Sequence, residues 1–104
     1  MSGFDEREAK FEAEFAHDAA LRFKVEARRN KLLGEWAAGL LGKTGGEIDD
    51  YAKSVVLADL EEAGDEDVFR KLRGDLGDDV SDDDIRAKMA EMLTVAKQQV
   101  QAGE

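Results

Sequence analysis

Apolar residues recur at helical spacing along most of this chain. Val25, Leu32, Leu33, Trp36, Leu40 and Leu41 form one such stripe, wide enough to face a core. From Asp5 to Leu41 there is no proline and only two glycines, Gly34 and Gly39, among strong helix formers. The stretch predicts one long helix or two helical pieces with a soft join. Gly42-Lys43-Thr44-Gly45-Gly46 ends it in a turn. A second helix is expected over 47–62, with Ile48, Tyr51, Ala52, Val55, Val56 and Leu60 on its apolar side and Gly64 as its stop. Asp65 is the expected N-cap of a shorter third helix carrying Val68, Phe69, Leu72 and Leu76. Ser81 and Asp84 resemble a capping box for a last helix. There, Ile85, Met89, Met92, Leu93, Ala96 and Val100 share one face. No segment alternates with period two in a β-rich composition. The fold class is therefore all-α, a four-helix bundle with a long first helix. Its expected core is Leu32, Leu33, Trp36, Leu40, Val55, Phe69, Leu72, Ile85, Met89, Leu93 and Ala96.

Ahead of Val25 the pattern changes. Phe4, Phe11 and Phe15 lie seven and four residues apart on one helical face, separated by Asp5, Glu6, Arg7, Glu8, Lys10, Glu12 and Glu14. So narrow a stripe does not repay the ordering of a helix in water unless something covers it. Either the rings pack on the bundle as ordinary core, or residues 1–18 form an arm that is labile when free and helical when docked in a partner's groove. Residues 19–104 would then be the bundle domain. After the arm come Arg22, Lys24, Arg28, Arg29 and Lys31, opposed only by Glu26. They form either a solvated face or a basic contact patch.

Charge narrows the choice of partner. Against 15 basic residues stand 25 acidic ones, a formal net charge of −10. Such a surface repels phosphate backbones and anionic lipid, which argues against nucleic acid and membrane surfaces. The stretch from Glu47 to Asp84 carries fifteen acids and four bases, many of the acids in expected helix first turns, where they are favoured. No apolar run is long enough to span a bilayer, and the first residues have neither the basic start nor the apolar stretch of a signal peptide. With 104 residues, one domain is expected.

Chemistry is apparent in three places and fails in each. Gly42-Lys43-Thr44 resembles the tail of a phosphate loop, but Ala37 stands where its first glycine belongs and a helix precedes it where a strand is required. Lys43 and Thr44 remain a candidate weak nucleotide contact. An EF-hand register beginning at Asp75 puts Val80 at the glycine position and Arg86 at the bidentate glutamate. His17 is the single histidine and there is no cysteine, so any metal or triad site built on it would have carboxylates alone beside it. No catalytic residue, metal or cofactor is expected, and the chain is read as a binding protein.

The segments Phe4-Asp5-Glu6-Arg7-Glu8 and Phe15-Ala16-His17-Asp18, the run from Phe23 through Ala27-Arg28-Arg29-Asn30-Lys31-Leu32-Leu33-Gly34-Glu35-Trp36-Ala37-Ala38-Gly39-Leu40, and Asp67-Val68-Phe69-Arg70-Lys71 carry a resemblance. Over nearly its whole length the chain resembles the zeta subunit of alphaproteobacterial F1Fo ATP synthase, a natural inhibitor of the F1-ATPase. The resemblance implies a four-helix protein whose N-terminal segment inserts at a catalytic interface between the alpha and beta subunits. It blocks rotation of gamma in the hydrolytic direction. Carried onto this chain, the inhibitory segment is Phe4, Asp5, Arg7, Lys10, Phe11, Phe15 and His17. The bundle would anchor outside F1, with Arg22, Lys24, Arg28 and Arg29 as the candidate anchoring face. The implied protein is a monomer when free, cytoplasmic, and associated with the F1 sector at the inner membrane. The alternatives from other classes are an acidic adaptor unrelated to F1 and an adenine-nucleotide sensor.

Overall fold

Aspartate and glycine set the boundaries between elements. The computed structural model describes residues 6–61 and 65–103, with side chains described over 9–59 and 65–103. All five elements are helices: α1 (Glu6–His17), α2 (Ala19–Leu40), α3 (Gly46–Glu61), α4 (Asp65–Asp75) and α5 (Asp82–Gln101). No strand occurs among the described residues. Among the described residues there are five helices in place of four, because the stretch expected as one long helix or two softly joined pieces is divided at Asp18. That residue is extended (φ −103°, ψ 107°), and its carboxylate accepts hydrogen bonds from the amides of Ala20 at 2.9 Å and Leu21 at 3.1 Å. Those amides open α2 and would otherwise be unpaired, so the Asp18 side chain starts a new helix.

The glycine turn closes α2 onto α3. Gly42 (φ 76°) and Gly45 (φ 59°) adopt the left-handed backbone that side chains with a Cβ rarely reach. Ser81 makes the expected capping box: its hydroxyl accepts from the Asp84 amide at 3.0 Å, and its own amide donates to the Asp84 carboxylate at 3.4 Å. Asp65 is itself helical in α4 and is not its N-cap. The expected end of α3 at Glu62 and the stop at Gly64 lie outside the described residues.

α2 packs on α3 and α5, and α4 packs on the same two helices, so these four enclose a main core. Leu33, Ala37, Val55, Val68, Leu72, Leu76, Ile85 and Met89 fill it, with Trp36, Tyr51, Phe69, Val80 and Met92 packed around. A second apolar cluster unites Phe11, Val25, Ala96 and Val100 where α1 crosses α2 and α5. Six of the expected core residues are buried: Leu33, Val55, Leu72, Ile85, Met89 and Ala96. Leu32, Trp36, Phe69 and Leu93 are half-buried. Leu40 is 54% exposed, because α2 ends there and nothing packs over its last turn.

The tightest contact is between α2 and α3. A Cβ added at Gly34 would lie 2.4 Å from the Ala52 Cα, closer than any real side chain sits to backbone. Ala37 and Ala38, both buried, continue the small-residue surface of α2. The contact gives a clean expectation. Gly34→Ala should destabilise by about 2 kcal/mol or more, since overpacking against backbone outweighs the gain of about 1 kcal/mol in helix propensity. At Gly39 an added Cβ meets nothing within 4 Å, so Gly39→Ala should be neutral or stabilise by up to about 1 kcal/mol. The urea unfolding midpoint should fall for Gly34→Ala and hold or rise for Gly39→Ala.

Candidate protein-binding surface

α1 is held to the body by one side. Phe11 is 9% exposed and sits in the cluster with Val25, Ala96 and Val100. Phe15, one turn on, is half-buried and packs against the same cluster, as do Leu21, Leu32 and Leu93. Lys97 of α5 clips the outer edge: its ammonium lies 3.1 Å from the Glu12 carboxylate and 4.4 Å from the centre of the Phe15 ring. Every other described side chain of α1 is exposed, including Lys10 and His17. Phe4 and Asp5 lie outside the described residues. Arg7 is in α1, but its side chain also lies outside them. The structure thus gathers Phe11 and Phe15 at home on the bundle, as the core reading of these rings expects.

The basic residues that follow do not form one face. Arg22 and Lys24 are exposed. Arg28 is half-buried and donates to Gln99 of α5 at 2.9 Å. Arg29 corrects the expectation outright, being 2% exposed and facing inward. Its guanidinium donates to Asp65 at 2.8 Å and to the Asn30 side-chain oxygen at 3.0 Å. The signal for this was in the sequence: Arg29 stands four residues from both Val25 and Leu33, on the stripe that those two bury. A charge so enclosed persists because it is paired and hydrogen-bonded, and Asn30, itself fully buried, supplies part of that pairing.

Lys43 and Thr44 occupy the glycine turn. The Thr44 amide is used by the Glu47 carboxylate at 3.3 Å, and the Lys43 ammonium lies 5.8 Å from the centre of the Tyr51 ring. Glu47 thus occupies, with the same charge sign, the donor that a phosphate would need. Tyr51 organises what lies beyond. Its hydroxyl donates to Asp75 at 2.7 Å, and Lys71 donates to the same carboxylate oxygen at 3.0 Å. Burial and the bond to Asp75 push the Tyr51 phenol well above its ordinary value. For Asp75, burial raises the pKa, but the bonds from Tyr51 and Lys71 prevail, holding it below the ordinary carboxylate value. Glu66 is likewise lowered by its paired bonds from Arg86, at 3.0 and 3.1 Å. No group of three or more His, Cys, Asp or Glu among the described residues is placed to hold a metal ion. No helix among them is long and apolar enough to cross a membrane.

Residues absent from the sequence-based site form a more open feature. Phe23 and Leu57 are large apolar side chains, 57% and 58% exposed, on the outer flank of α2 and α3. Neither is on its helix's core stripe, which is the signal that could have found them.

These features come together in a chain with identifiable relatives. The family described as ATPase inhibitor subunit zeta matches residues 1–99. A protein solved by solution NMR is 50% identical to this chain, with a TM-score of 0.74, and the match covers 81% of this chain and 99% of the other. No curated protein matches at a significant level.

Two outcomes follow from this geometry. Phe11→Ala should cost about 3 kcal/mol, the low end for a buried phenylalanine since its edge reaches solvent, and should speed amide exchange in α1 far more than in α4. Stability should also depend on pH at both ends. Asp75 and Glu66 have depressed folded pKa values, so their contribution is complete above about pH 4 and lost as the pH falls through those values. Tyr51 has a raised folded pKa, so its contribution is complete below about pH 10 and lost above it. Urea midpoints measured across pH should fall at both limits, and Tyr51→Phe should flatten the alkaline fall.

Proposed function

The chain belongs to the ATPase inhibitor subunit zeta family, and from that premise we propose that it binds F1-ATPase and stops ATP hydrolysis by lodging α1 at an interface between alpha and beta subunits. One observation carries the reading. α1 is divided from α2 at the extended Asp18, whose side chain caps α2, and the only buried or half-buried side chains described on α1 are Phe11 and Phe15. A helix held by two rings and one ion pair leaves its docked state at modest cost, and a partner that offers a deeper groove to the same rings shifts the population toward release.

No bond is made or broken in this mechanism. A rotary ATPase must pass through a sequence of catalytic-interface shapes, and a helix that binds one of them tightly traps the rotor there. The residues placed in that contact are Phe4, Asp5, Arg7, Lys10, Phe11, Phe15 and His17. The aromatic rings supply anchoring, and the charged groups supply orientation at the rim. The rest of the chain stays outside as the handle that positions α1. The protein would act as a monomer on the cytoplasmic F1 sector at the inner membrane, touching alpha, beta and, through the trapped state, gamma.

Deleting Met1 to His17 should abolish inhibition of hydrolysis by cognate F1. It should also lower the thermal midpoint, because Phe11 covers Val25, Ala96 and Val100. Inhibition and stability are separated by comparing Phe15→Ala, at the half-buried ring, with Glu14→Ala, at an exposed rim carboxylate. The former should raise the half-inhibitory concentration at least tenfold, since aromatic anchors commonly cost about 2 kcal/mol or more on truncation. The latter should change it little. Steady-state hydrolysis assays on purified F1, each variant titrated, measure both. Full inhibition by the truncated chain would sink the reading.

A further inference from the structure

The outer flank of α2 and α3 carries two shallow clefts of 540 and 440 Å³ that share Lys31 and Val56 in their walls. Phe23 and Leu57, the two most exposed large apolar side chains among the described residues, stand one in each cleft. Their borders are basic: Lys24, Lys31 and Lys53 line them, against the single carboxylate of Asp49. On a chain of net charge −10 this bias is unusual, and so is the state of the lysines. Lys71, Arg73, Arg86, Lys88 and Lys97 are all engaged by carboxylates of their own chain. Lys24, Lys31 and Lys53 have no ion pair among the described residues, although acidic side chains abound.

We propose that this α2–α3 groove is a docking site for an acidic amphipathic helix on the exterior of F1, and that it is the anchor which holds the protein while α1 inserts. The inference rests on the F1 reading above. Exposed apolar area flanked by unpaired charge of one sign fits a partner with apolar residues and carboxylates on the same face. The furrow between two packed helices suits a third helix laid along it. A second copy of this chain is a poor occupant, since two bodies of charge −10 repel. Anionic lipid meets the same repulsion from the remainder of the surface. Compared with the face that the α2 arginines suggested, the anchor moves around the helix. Arg29 leaves it for the interior, and Lys53, Val56 and Leu57 of α3 join it.

The test is a titration of full-length protein against purified cognate F1, recording both binding affinity and residual hydrolysis at saturation. All the substituted side chains are exposed, so folding should survive, which circular dichroism melting checks. The double variant Lys31→Glu, Lys53→Glu should weaken binding at least tenfold, and Leu57→Ser at least threefold. Inhibition at saturation should stay complete, because α1 is intact. Wild-type affinity should fall as salt rises, and the Lys31→Glu, Lys53→Glu variant should show a flatter salt dependence. Gln98→Glu on α5 adds a charge elsewhere and should leave affinity unchanged. Unaltered affinity in both groove variants, with the wild type still inhibiting, would overturn the groove and leave the α1 mechanism standing. A wild type that does not bind F1 would overturn both. A dimer dissolved by the groove substitutions, or capture by phosphatidylglycerol vesicles, would assign the groove to a different occupant and also overturn the proposal.

Discussion

The backbone approach of α2 to α3 at Gly34 and Ala52 fixes the rest of the molecule. With no Cβ at Gly34, the Ala52 backbone comes within a distance that a methyl group would forbid. The two helices therefore meet along their small residues, and their large ones are displaced to either side. On the inner side, Leu33 and Val55 join residues of α4 and α5 in the main core. On the outer side, Val56, Leu57, Phe23 and Lys31 are left without a covering element. The core and the exposed groove are thus two consequences of a single contact.

A buried charge ties this pair to the others. Arg29 emerges from the buried stripe of α2 and reaches Asp65 at the start of α4, so the start of α4 is held by an ion pair as well as by Val68 and Leu72. Desolvating a guanidinium is costly, and Asp65 together with the Asn30 oxygen offsets that cost. Arg86 then links α5 back to Glu66 on the same first turn of α4, and it covers Phe69, with the guanidinium 3.8 Å from the ring centre. The acidic first turn of α4 is therefore not surplus charge for solubility alone. It receives bases from two helices and complements its own helix dipole.

Against this rigid frame α1 is the loosely held part. The Asp18 carboxylate that separates it from α2 caps α2, and α1 meets the body chiefly through Phe11, Phe15 and the Glu12–Lys97 pair. The proposed mechanism asks for a segment that leaves one surface and enters another without unfolding the body. A helix on an extended joint suits that motion, because the hydrogen bonds from Ala20 and Leu21 to Asp18 that start α2 do not depend on where α1 lies. In that mechanism the cost of release is the exposure of Phe11 and its cluster, which sets a threshold that a partner groove must exceed.

Most of the helices, and several of their ends, are legible in local sequence. Helical phasing, a proline-free composition, the glycine turn at Gly42–Gly45 and the Ser81–Asp84 capping box are local properties, encoded in residues a few positions apart. The same local logic made residues 1–18 stand out as a narrow aromatic stripe, and the long run around Trp36 was enough to suggest the family. Tertiary structure decided which of two chemically reasonable fates each ambiguous residue met. Phe11 and Phe15 pack on Ala96 and Lys97, more than eighty residues away in the chain. Arg29 is buried because Asp65 waits for it, and Phe23 and Leu57 are exposed because no element crosses the flank they occupy. Asp18 reads as one acid among many until its backbone turns extended and its carboxylate caps α2. Periodicity specifies which residues share a face. Whether that face is covered, and by which distant side chain, depends on how closely the helices approach, and here Gly34 sets that distance.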